Sequence, residues 1–396
     1  MIEISKALKI IERETHELGA ERVPLGESVG RVLREKIVAD TDLPPFDRSQ
    51  MDGYAVVAAD TQSCPVTLKI VGESAAGRGW HKRMVRGEAV RIMTGAPVPD
   101  GANAVQRVED TSGWEGDAVT ILESVAKGMS VVKRGAEVKQ GTTVFHAGEI
   151  VTENKIPALA SFGYARLSVS KVPTISIMAT GSEIVPLGRK PGRDQIRNSN
   201  SIMLDVSCRR LGCSTSVLET PRDDLFELKA KIHGIKSDIL IITGGVSAGK
   251  YDLTTRALEE LGCEIFFEKV RLKPGKPAVF ARRGKTLIFG LPGNPVSAAV
   301  TFQLFVRKAI LLMQGIRDSD LSPGFAVLDN AVRAPRDRDA YIPAALGTDV
   351  EGRLIAIPLK SQGSSDFVGF SRAEALIKAR RGTDLDEGSV AEVLFL

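Results

Sequence analysis

The strongest constraint on the fold is an alternation of strand-like and helix-like segments between residues 171 and 318. Short apolar runs such as PTISIMAT (173–180) and SDILIIT (237–243) alternate with amphipathic segments such as NSNSIMLDVSCRRLG (198–212). This pattern is typical of strands covered by helices on both faces, so it predicts a doubly wound, mainly parallel sheet. The segment NPVSAAVTFQLFVRKAILLM (294–313) is almost wholly apolar and predicts a buried helix.

The segments around this core follow other patterns. The N-terminus predicts a helix that carries Ala7, Leu8, Ile11, Thr15 and Leu18 on one face and breaks at Gly19. Short β-rich runs such as VTLKIV (66–71) predict a small inserted β-rich domain, and similar runs after residue 321 predict a C-terminal β domain. We therefore expect a multidomain α/β plus β protein. The predicted boundaries are 1–40 with 136–170 for the N-terminal domain, 41–135 for the inserted domain, 171–318 for the α/β domain and 319–396 for the C-terminal domain.

Composition excludes several classes of function. Aromatic residues make up only 5% of the chain, which argues against a base-stacking nucleic-acid platform. We find neither an apolar run near the ~20 residues that cross a bilayer nor a secretory signal, so we expect a cytoplasmic protein without a membrane partner. The four cysteines form no C-x-x-C pair and the four histidines are scattered, so any metal should be a hard cation such as Mg²⁺ on oxygen ligands.

Three glycine- or proline-rich loops directly follow predicted parallel strands. They are the segments TGSE (180–183), GGVSAGK (244–250) and LPGNP (291–295). Ligands of open α/β sheets bind outside the carboxyl ends of the strands, so we expect these loops to share one pocket. The candidate substrate-binding residues are Thr180, Gly181, Ser182, Gly244, Gly245, Ser247, Gly249, Lys276, Pro292, Gly293, Asn294 and Pro295.

Local chemistry leaves alternatives at several of these positions. The second loop matches most of a phosphate-binding P-loop, but Tyr251 stands where a P-loop needs Ser or Thr, so a true P-loop is not expected. Asp252 either ligates a cation or lies in the first turn of a helix, where a carboxylate is favoured by the dipole. Asn294 and Pro295 are explained equally well by helix capping. The cationic segment 269–277 suits phosphate or another oxyanion, or else is a solvated loop.

The N-terminal half carries two dense segments, LPPFDRSQMDGYA (43–55) and RIMTGAPVP (91–99). Taken alone, both favour ordinary turn chemistry. Together with TGSE, ITGGVSAGKYD, LKPGKP and GLPGNPVSA, however, they form an ordered set. That set closely resembles the molybdopterin molybdenumtransferase family, which comprises the bacterial MoeA proteins and the matching domain of gephyrin. The resemblance covers nearly the full chain.

The resemblance implies a four-domain subunit with an elongated N-terminal α+β domain, assembled as a homodimer. It implies a transferase that inserts molybdate into adenylylated molybdopterin and releases AMP in the presence of Mg²⁺. The implied partners also include the molybdopterin adenylyltransferase and molybdoenzymes. Positioning and electrostatic stabilisation would suffice for this chemistry.

Residue roles carried over by the resemblance fall into three groups. The catalytic positions are Asp52, Thr94, Glu183, Asp223, Asp252, Lys269 and Lys273. Glu183, Asp223 and Asp252 are the expected Mg²⁺ ligands, and Arg338, Ser364 and Ser365 are candidates for molybdate contacts. One departure is Gly135-Ala136-Glu137, where the family tends to carry Gly-Glu-Asp.

Three alternative functions share some of these sequence features. The related adenylyltransferase usually has only the α/β domain, and the long N-terminal half argues against it. A scaffold without catalysis would need a further linker or partner domain, and none is visible in the sequence. A tungstate-inserting homologue stays open, because molybdate and tungstate have nearly the same size and charge.

Overall fold

The computed structural model describes residues 1–221, 224–245, 253–359 and 363–396. Its helices are α1 (Ile4–Glu14), α2 (Ile156–Ser161), α3 (Ser199–Arg210), α4 (Leu225–His233), α5 (Leu253–Glu260), α6 (Pro295–Thr301), α7 (Arg307–Met313) and α8 (Phe367–Phe370). Its strands are β1 (Ala20–Pro24), β2 (Ile37–Val38), β3 (Arg48–Ser49), β4 (Gly53–Val56), β5 (Val66–Ser74), β6 (Glu88–Ile92), β7 (Ala104–Arg107), β8 (Ala118–Ile121), β9 (Val131–Val132), β10 (Thr143–Phe145), β11 (Arg166–Ser170), β12 (Thr174–Ala179), β13 (Ile184–Val185), β14 (Ile196–Arg197), β15 (Ser214–Val217), β16 (Ile239–Thr243), β17 (Glu264–Lys269), β18 (Leu272–Lys273), β19 (Pro277–Arg283), β20 (Thr286–Leu291), β21 (Pro323–Leu328), β22 (Val332–Arg333), β23 (Asp339–Thr348), β24 (Leu354–Pro358), β25 (Ala375–Ala379), β26 (Asp384–Leu385) and β27 (Val390–Phe395).

The chain forms two compact units. Unit 1 consists of Met1–Arg34, Gly148–Thr152 and Leu167–Leu396, and unit 2 consists of Glu35–Ala147 and Glu153–Arg166. The domain boundaries proposed from the sequence within these units stay predictions.

A six-stranded sheet forms the centre of unit 1, in the order β15-β12-β16-β20-β19-β17. Strands β15, β12, β16 and β20 are parallel, whereas β19 and β17 add an antiparallel edge. The prediction of a doubly wound, mainly parallel sheet is therefore confirmed.

Both faces of this sheet are covered, as its side-chain alternation requires. Ile177 and Ile241 belong to a core cluster that also contains side chains of α3, α6 and α7. Their neighbours Met178 and Ile242 belong to a second cluster with side chains of α4 and α5. Because successive residues of a strand point to opposite faces, almost every residue of the central strands is apolar.

The apolar C-terminal helix of the α/β region is continuous from Pro295 to Met313, with a π-helical segment at Phe302–Val306 between α6 and α7. By length and composition this stretch could cross a membrane, contrary to what we expected from the sequence. However, 83% of it is buried inside the protein, which is the behaviour of a core helix.

The C-terminal part of unit 1 is a small barrel. Strands β23, β24, β21, β27 and β25 pair in that order, and β25 pairs again with β23 to close the ring. Its interior is rich in alanine, including Ala326, Ala344, Ala356 and Ala391, because a narrow barrel leaves room for small side chains only. Strand β18 of the cationic segment adds to the edge of β23 and so joins the α/β region to the barrel.

The first helix is shorter than predicted. Helix α1 buries Ala7 and Ile11 as expected, but it ends at Glu14 rather than at Gly19. Thr15 already has extended backbone angles, and its hydroxyl donates to the carbonyl of Ile11 at 2.6 Å, which terminates the helix. Gly19 therefore does not mark the end of this helix, and the prediction of a break there is wrong.

Unit 2 contains a five-stranded sheet in the order β7-β4-β6-β5-β8. Strands β5, β6 and β8 cover the β-rich runs identified in the sequence. Tyr54 and Val56 of β4 face one core cluster, and Ala55 faces another, so β4 is buried on both sides.

Candidate functional site

A cavity of about 680 Å³ lies at the carboxyl ends of β12, β16 and β20. These strands end in register, because Ala179 pairs with Thr243 and Thr243 pairs with Leu291. We call it the strand-end cavity, and its described lining includes Thr180, Glu183, Ile196, Asn200, Thr243, Gly244, Gly293, Asn294, Pro295, Ser365 and Phe367.

Backbone hydrogen bonds tie the three predicted loops together at this cavity. The amide of Thr180 donates to the carbonyl of Thr243 at 2.9 Å, and the amide of Gly244 donates to the carbonyl of Leu291 at 3.1 Å. The described starts of these three loops are therefore bonded to one another in series at one edge of the sheet.

Glycine is required where two of these loops meet. Gly244 has a φ of +90°, and a Cβ there would lie 2.5 Å from the carbonyl oxygen of Thr180. At Gly245, with a φ of +62°, a Cβ would lie 2.7 Å from the hydroxyl of Thr180. The close approach of the loops thus explains both glycines without reference to any ligand.

Asn200 connects the start of α3 to two of the strand ends. Its amide nitrogen donates to the hydroxyl of Thr243 at 2.9 Å and to the carbonyl of Gly293 at 2.8 Å. Both neighbours act as acceptors, since the Thr243 hydroxyl itself donates to the carbonyl of Pro292. This fixes the orientation of the amide. The Asn200 Oδ1 atom and the Thr180 hydroxyl are buried and have no hydrogen-bond partner among the described residues.

We did not predict Asn200, which follows the N-cap residue of α3 by two positions. The cap is Asn198, whose side chain accepts a hydrogen bond from the amide of Ser201 at 3.1 Å. The only signal for Asn200 in the sequence is that it is a second asparagine, two residues after the cap, in the first turn of a helix that follows a strand-end loop.

A second cavity, of about 490 Å³, lies between the cationic segment and the barrel. We call it the cationic cavity, because its described lining contains Lys273, Lys276, Arg333 and Arg338 but no Asp or Glu. Arg338 Nε lies 3.0 Å from the carboxylate of Asp337. The other three cations have no ion-pair partner within the described part of the chain. An anion entering this cavity would therefore meet uncompensated positive charge.

The local fold explains why the cationic segment lines this cavity. Lys273 lies on β18 and pairs with Ala340 of β23. Gly275, with a φ of +116°, packs so closely on α6 that a Cβ would lie 2.5 Å from the Cγ2 atom of Thr301. The segment is thus held against both the barrel and the helix, with Lys273 and Lys276 exposed on either side of the glycine.

Neutral hydrogen-bonding groups complete the lining of the cationic cavity, namely Ser297, Tyr341 and Ser364. Burial raises the pKa of the Tyr341 phenol well above its usual range. The phenol therefore keeps its proton at neutral pH and can donate a hydrogen bond.

The two cavities share Asn294 in their walls. The Asn294 amide nitrogen donates to the Ser364 hydroxyl at 2.7 Å. Ser364 lines the cationic cavity, and the next residue, Ser365, lines the strand-end cavity. Helix capping was one of two interpretations of Asn294 and Pro295, and Asn294 does stand at the N-cap of α6 with Pro295 as the first helical residue, but the Asn294 side chain makes no cap hydrogen bond. The amide of Val296, which a capping side chain would bind, donates to the carbonyl of Ser364 instead, at 3.1 Å.

In unit 2, Asp52 and Thr94 lie together on the surface. Both the amide and the hydroxyl of Thr94 donate to Asp52 Oδ1, each at 2.6 Å. Both bonds lower the pKa of the Asp52 carboxyl, and the bond from the hydroxyl is the larger cause. Glu137, where the sequence departs from the family pattern, pairs with Arg48 at 3.1 Å.

The predicted site residues are distributed as follows. Thr180, Glu183, Gly244, Gly293, Asn294, Pro295 and Ser365 line the strand-end cavity, and Lys273, Lys276, Pro292, Asn294, Arg338 and Ser364 line the cationic cavity. Gly181, Ser182 and Gly245 are chain neighbours of the strand-end lining, whereas Lys269 is half-buried at the end of β17 and lines neither cavity. Asp223, Ser247, Gly249 and Asp252 lie outside the described residues. Residues that we did not predict are Asn200, Thr243, Ser297, Arg333, Tyr341 and Phe367.

The described residues do not by themselves make a magnesium site. Glu183 supplies one carboxylate at the strand-end cavity. Across the described ranges, no group of three or more His, Cys, Asp or Glu side chains is placed to hold a metal ion. A single carboxylate falls short of the several oxygen ligands that Mg²⁺ takes.

Three sequence families match successive parts of the chain. The family described as "MoeA N-terminal region (domain I and II)" matches residues 2–163. The family described as "Probable molybdopterin binding domain" matches residues 176–311, and the one described as "MoeA C-terminal region (domain IV)" matches residues 326–396.

Individual relatives match over most of their length. A Mycobacterium tuberculosis protein called molybdopterin molybdenumtransferase 2 is 37% identical, with 82% of each chain covered. A Bacillus subtilis molybdopterin molybdenumtransferase is 33% identical over 95% of this chain and 90% of its own. The crystal structure of the molybdopterin biosynthesis MoeA protein from Pyrococcus horikoshii OT3 is 28% identical and covers 100% of both chains with a TM-score of 0.85.

The fold, its paired cavities and these relatives define a transferase of molybdenum cofactor biosynthesis. The chain belongs to the molybdopterin molybdenumtransferase family, as the ordered motifs of the sequence indicated.

Proposed function

We propose that this protein inserts molybdate into adenylylated molybdopterin and releases AMP. In this proposal the strand-end cavity takes the adenylylated pterin, and the cationic cavity takes the oxyanion. The observation that carries the proposal is the shared wall at Asn294, which puts the cation-lined cavity beside the strand-end cavity.

The charge of the cationic cavity supports an oxyanion substrate. Molybdate is a tetrahedral dianion, and Lys273, Lys276 and Arg333 are cations without ion-pair partners in the described chain. Hydrogen bonds from charged donors to an oxyanion are stronger than those from neutral donors. The Ser364 and Tyr341 hydroxyls add neutral donors on the barrel side.

The strand-end cavity supports a larger, partly polar ligand. Its described surface includes the hydroxyls of Thr180 and Thr243 and the apolar side chains of Ile196 and Phe367. The last two are 58% and 55% exposed, so a planar ring at the mouth would cover apolar surface that is otherwise in contact with water.

We further propose that the reaction depends on Mg²⁺, with Glu183, Asp223 and Asp252 as its expected ligands. Glu183 lies at the strand-end cavity, where the pyrophosphate of the substrate would lie. The protein residues would bind and orient the two substrates, and Lys273 and Lys276 would stabilise the charge of the oxyanion during transfer. A cytoplasmic homodimer, supplied with substrate by an adenylyltransferase, completes the proposal.

The decisive experiment is a reconstituted assay with the purified full chain. Adenylylated molybdopterin, Mg²⁺ and molybdate are incubated with the protein, and AMP and the metal-loaded pterin are followed over time. We expect AMP release that depends on molybdate. Substrate binding without any turnover would support the scaffold alternative, and turnover with tungstate but not molybdate would identify a tungstate-inserting enzyme.

A further inference from the structure

We propose that Asn294 is a positioning residue, which directs the hydroxyl hydrogen of Ser364 into the cationic cavity toward the bound oxyanion. This inference rests on the proposed function, because it assumes that the cationic cavity binds a tetrahedral oxyanion. It assigns to Asn294 a role that acts through Ser364 rather than through direct contact with the substrate.

The first argument is that the Asn294 side chain is not needed by the helix. Asn294 stands at the N-cap of α6, yet its side chain makes no cap hydrogen bond. Its backbone carbonyl already accepts from the amide of Ala298 at 2.9 Å, and the amide of Val296 is bonded to Ser364. Pro295, the first helical residue, has no amide hydrogen to satisfy. The side chain is therefore available for another task.

The second argument is the direction of the hydrogen bond. The Asn294 amide nitrogen donates to Ser364 Oγ at 2.7 Å, so the serine oxygen acts as the acceptor. A serine hydroxyl has one hydrogen to donate, and this bond does not use it. The hydrogen remains available for the cavity that Ser364 lines, where the charged lining residues are Lys273, Lys276, Arg333 and Arg338.

The third argument is that the serine is held from two sides. The Ser364 carbonyl accepts from the Val296 amide at 3.1 Å while its hydroxyl accepts from Asn294. The backbone bond fixes where Ser364 lies, and the side-chain bond fixes how its hydroxyl is turned. Removing the Asn294 amide should therefore leave the serine in place but release the rotation of its hydroxyl.

The experiment is a double-mutant cycle on molybdate binding, measured by titration calorimetry with the full chain and no pterin. Ser364→Ala should weaken molybdate binding roughly 10-fold, about the loss of one hydrogen bond to an anion. Asn294→Ala should weaken it by a smaller factor, because the serine hydroxyl stays in place and loses only its fixed orientation. The double variant should bind no more weakly than Ser364→Ala alone, because Asn294 would act only through the Ser364 hydroxyl. A double variant weakened by the product of the two single effects would overturn the proposal.

A second variant keeps the test independent of packing changes. Asn294→Asp keeps the shape of the side chain, but its carboxylate can only accept a hydrogen bond. The Ser364 hydroxyl would then donate its hydrogen to residue 294 and no longer to the oxyanion. We expect Asn294→Asp to weaken binding more in the presence of Ser364 than in the Ser364→Ala background, where only its negative charge acts. Equal losses in the two backgrounds would contradict the positioning role.

A control variant and the unmodified protein make this inference and the proposed function separately testable. Asn330→Ala removes an exposed amide whose side chain bonds to the neighbouring Asp329, and it should leave molybdate binding unchanged. If the unmodified protein binds no molybdate, the oxyanion part of the proposed function fails. If it binds molybdate but the cycle is additive, only the role of Asn294 fails.

Discussion

Thr94 holds the carboxylate of Asp52 with two donors at once, since its amide and its hydroxyl both lie 2.6 Å from Asp52 Oδ1. The arrangement depends on the turn that follows Asp52. Gly53 has a φ of +155°, and a Cβ there would lie 2.0 Å from the carbonyl oxygen of Gln106. The Met-Asp-Gly segment is thus fixed by its strand neighbours, and the carboxylate is fixed by Thr94.

Replacing Thr94 by alanine should raise the pKa of Asp52 toward its ordinary value, because the largest cause of its lowering is the hydroxyl hydrogen bond. A carboxyl whose pKa is lowered on folding stabilises the protein above its unfolded pKa, and this contribution is lost as the pH falls through the folded pKa. The free energy of unfolding should therefore fall less between neutral and acid pH in Thr94→Ala than in the unmodified protein.

Titration of the Asp52 carboxyl by NMR would check this directly. Thr67→Ala is a suitable control, since Thr67 bonds to Thr120 in another exposed pair of the same unit. If the Asp52 pKa is the same in Thr94→Ala as in the unmodified protein, the hydroxyl is not what lowers it.

Lys273→Ala should weaken molybdate binding by roughly 10- to 100-fold, because a hydrogen bond to a charged group contributes about 1.5–3 kcal/mol. Lys273 lines the cationic cavity and has no carboxylate partner in the described chain, so its charge is available to the oxyanion. The same variant should abolish molybdate-dependent AMP release.

The matched control is Lys285→Ala, in the exposed turn between β19 and β20 and so at the opposite end of β20 from both cavities. It should leave binding and turnover unchanged. Turnover of Lys273→Ala at the normal rate would remove Lys273 from the oxyanion site.

Gly244→Ala should lower the free energy of unfolding of unit 1 by more than the cost of placing an alanine in a left-handed conformation. That conformation costs about 1–2 kcal/mol, and crowding against the Thr180 carbonyl adds about 1–3 kcal/mol. Gly262→Ala is the control, since Gly262 has a φ of +68° but no atom within 4 Å of its Cβ position. Chemical denaturation of the two variants gives the comparison, and equal losses would mean that the strand-end loops can separate.

The sequence was a good guide wherever one local rule decided the structure. The apolar runs of β12, β16 and β20 predicted a parallel sheet, and the rule for ligand sites then put Thr180, Gly244 and Asn294 at one edge. Local rules failed where a distant group competed. The capping interpretation of the Asn294 side chain does not hold, because Ser364, far along the chain, bonds to both the Val296 amide and the Asn294 side chain.

Only part of the lining of the cationic cavity could be predicted from the sequence. The motif itself drew attention to Lys273 and Lys276, but nothing near Arg333 or Tyr341 signals that they face the same space. Those two residues arrive there only because the barrel closes and β18 joins its edge. Such long-range pairing cannot be read from periodicity.

Glu183→Gln should raise the Mg²⁺ concentration needed for half-maximal AMP release while leaving molybdate binding unchanged. The substitution keeps the shape of the side chain but removes the charge that a hard cation favours. Glu183 is also the one predicted metal ligand among the described residues that line the strand-end cavity. A magnesium titration of turnover, compared with Glu351→Gln in an exposed turn of the barrel, would decide the matter. An unaltered titration would exclude Glu183 as a ligand.

Asn200→Ala should lower both the stability of unit 1 and the rate of the reaction. The amide of Asn200 bonds to the Thr243 hydroxyl and the Gly293 carbonyl, and an unsatisfied buried partner costs about 1–3 kcal/mol. Asn200→Asp is the sharper variant, because its carboxylate would meet two acceptors and its pKa would rise on folding. A raised pKa makes the ionised form the costly one, so its destabilisation should grow as the pH increases from acid to neutral. Thermal unfolding of the unmodified protein and both variants at several pH values tests this. A pH-independent loss in Asn200→Asp would mean that the amide does not face these two acceptors.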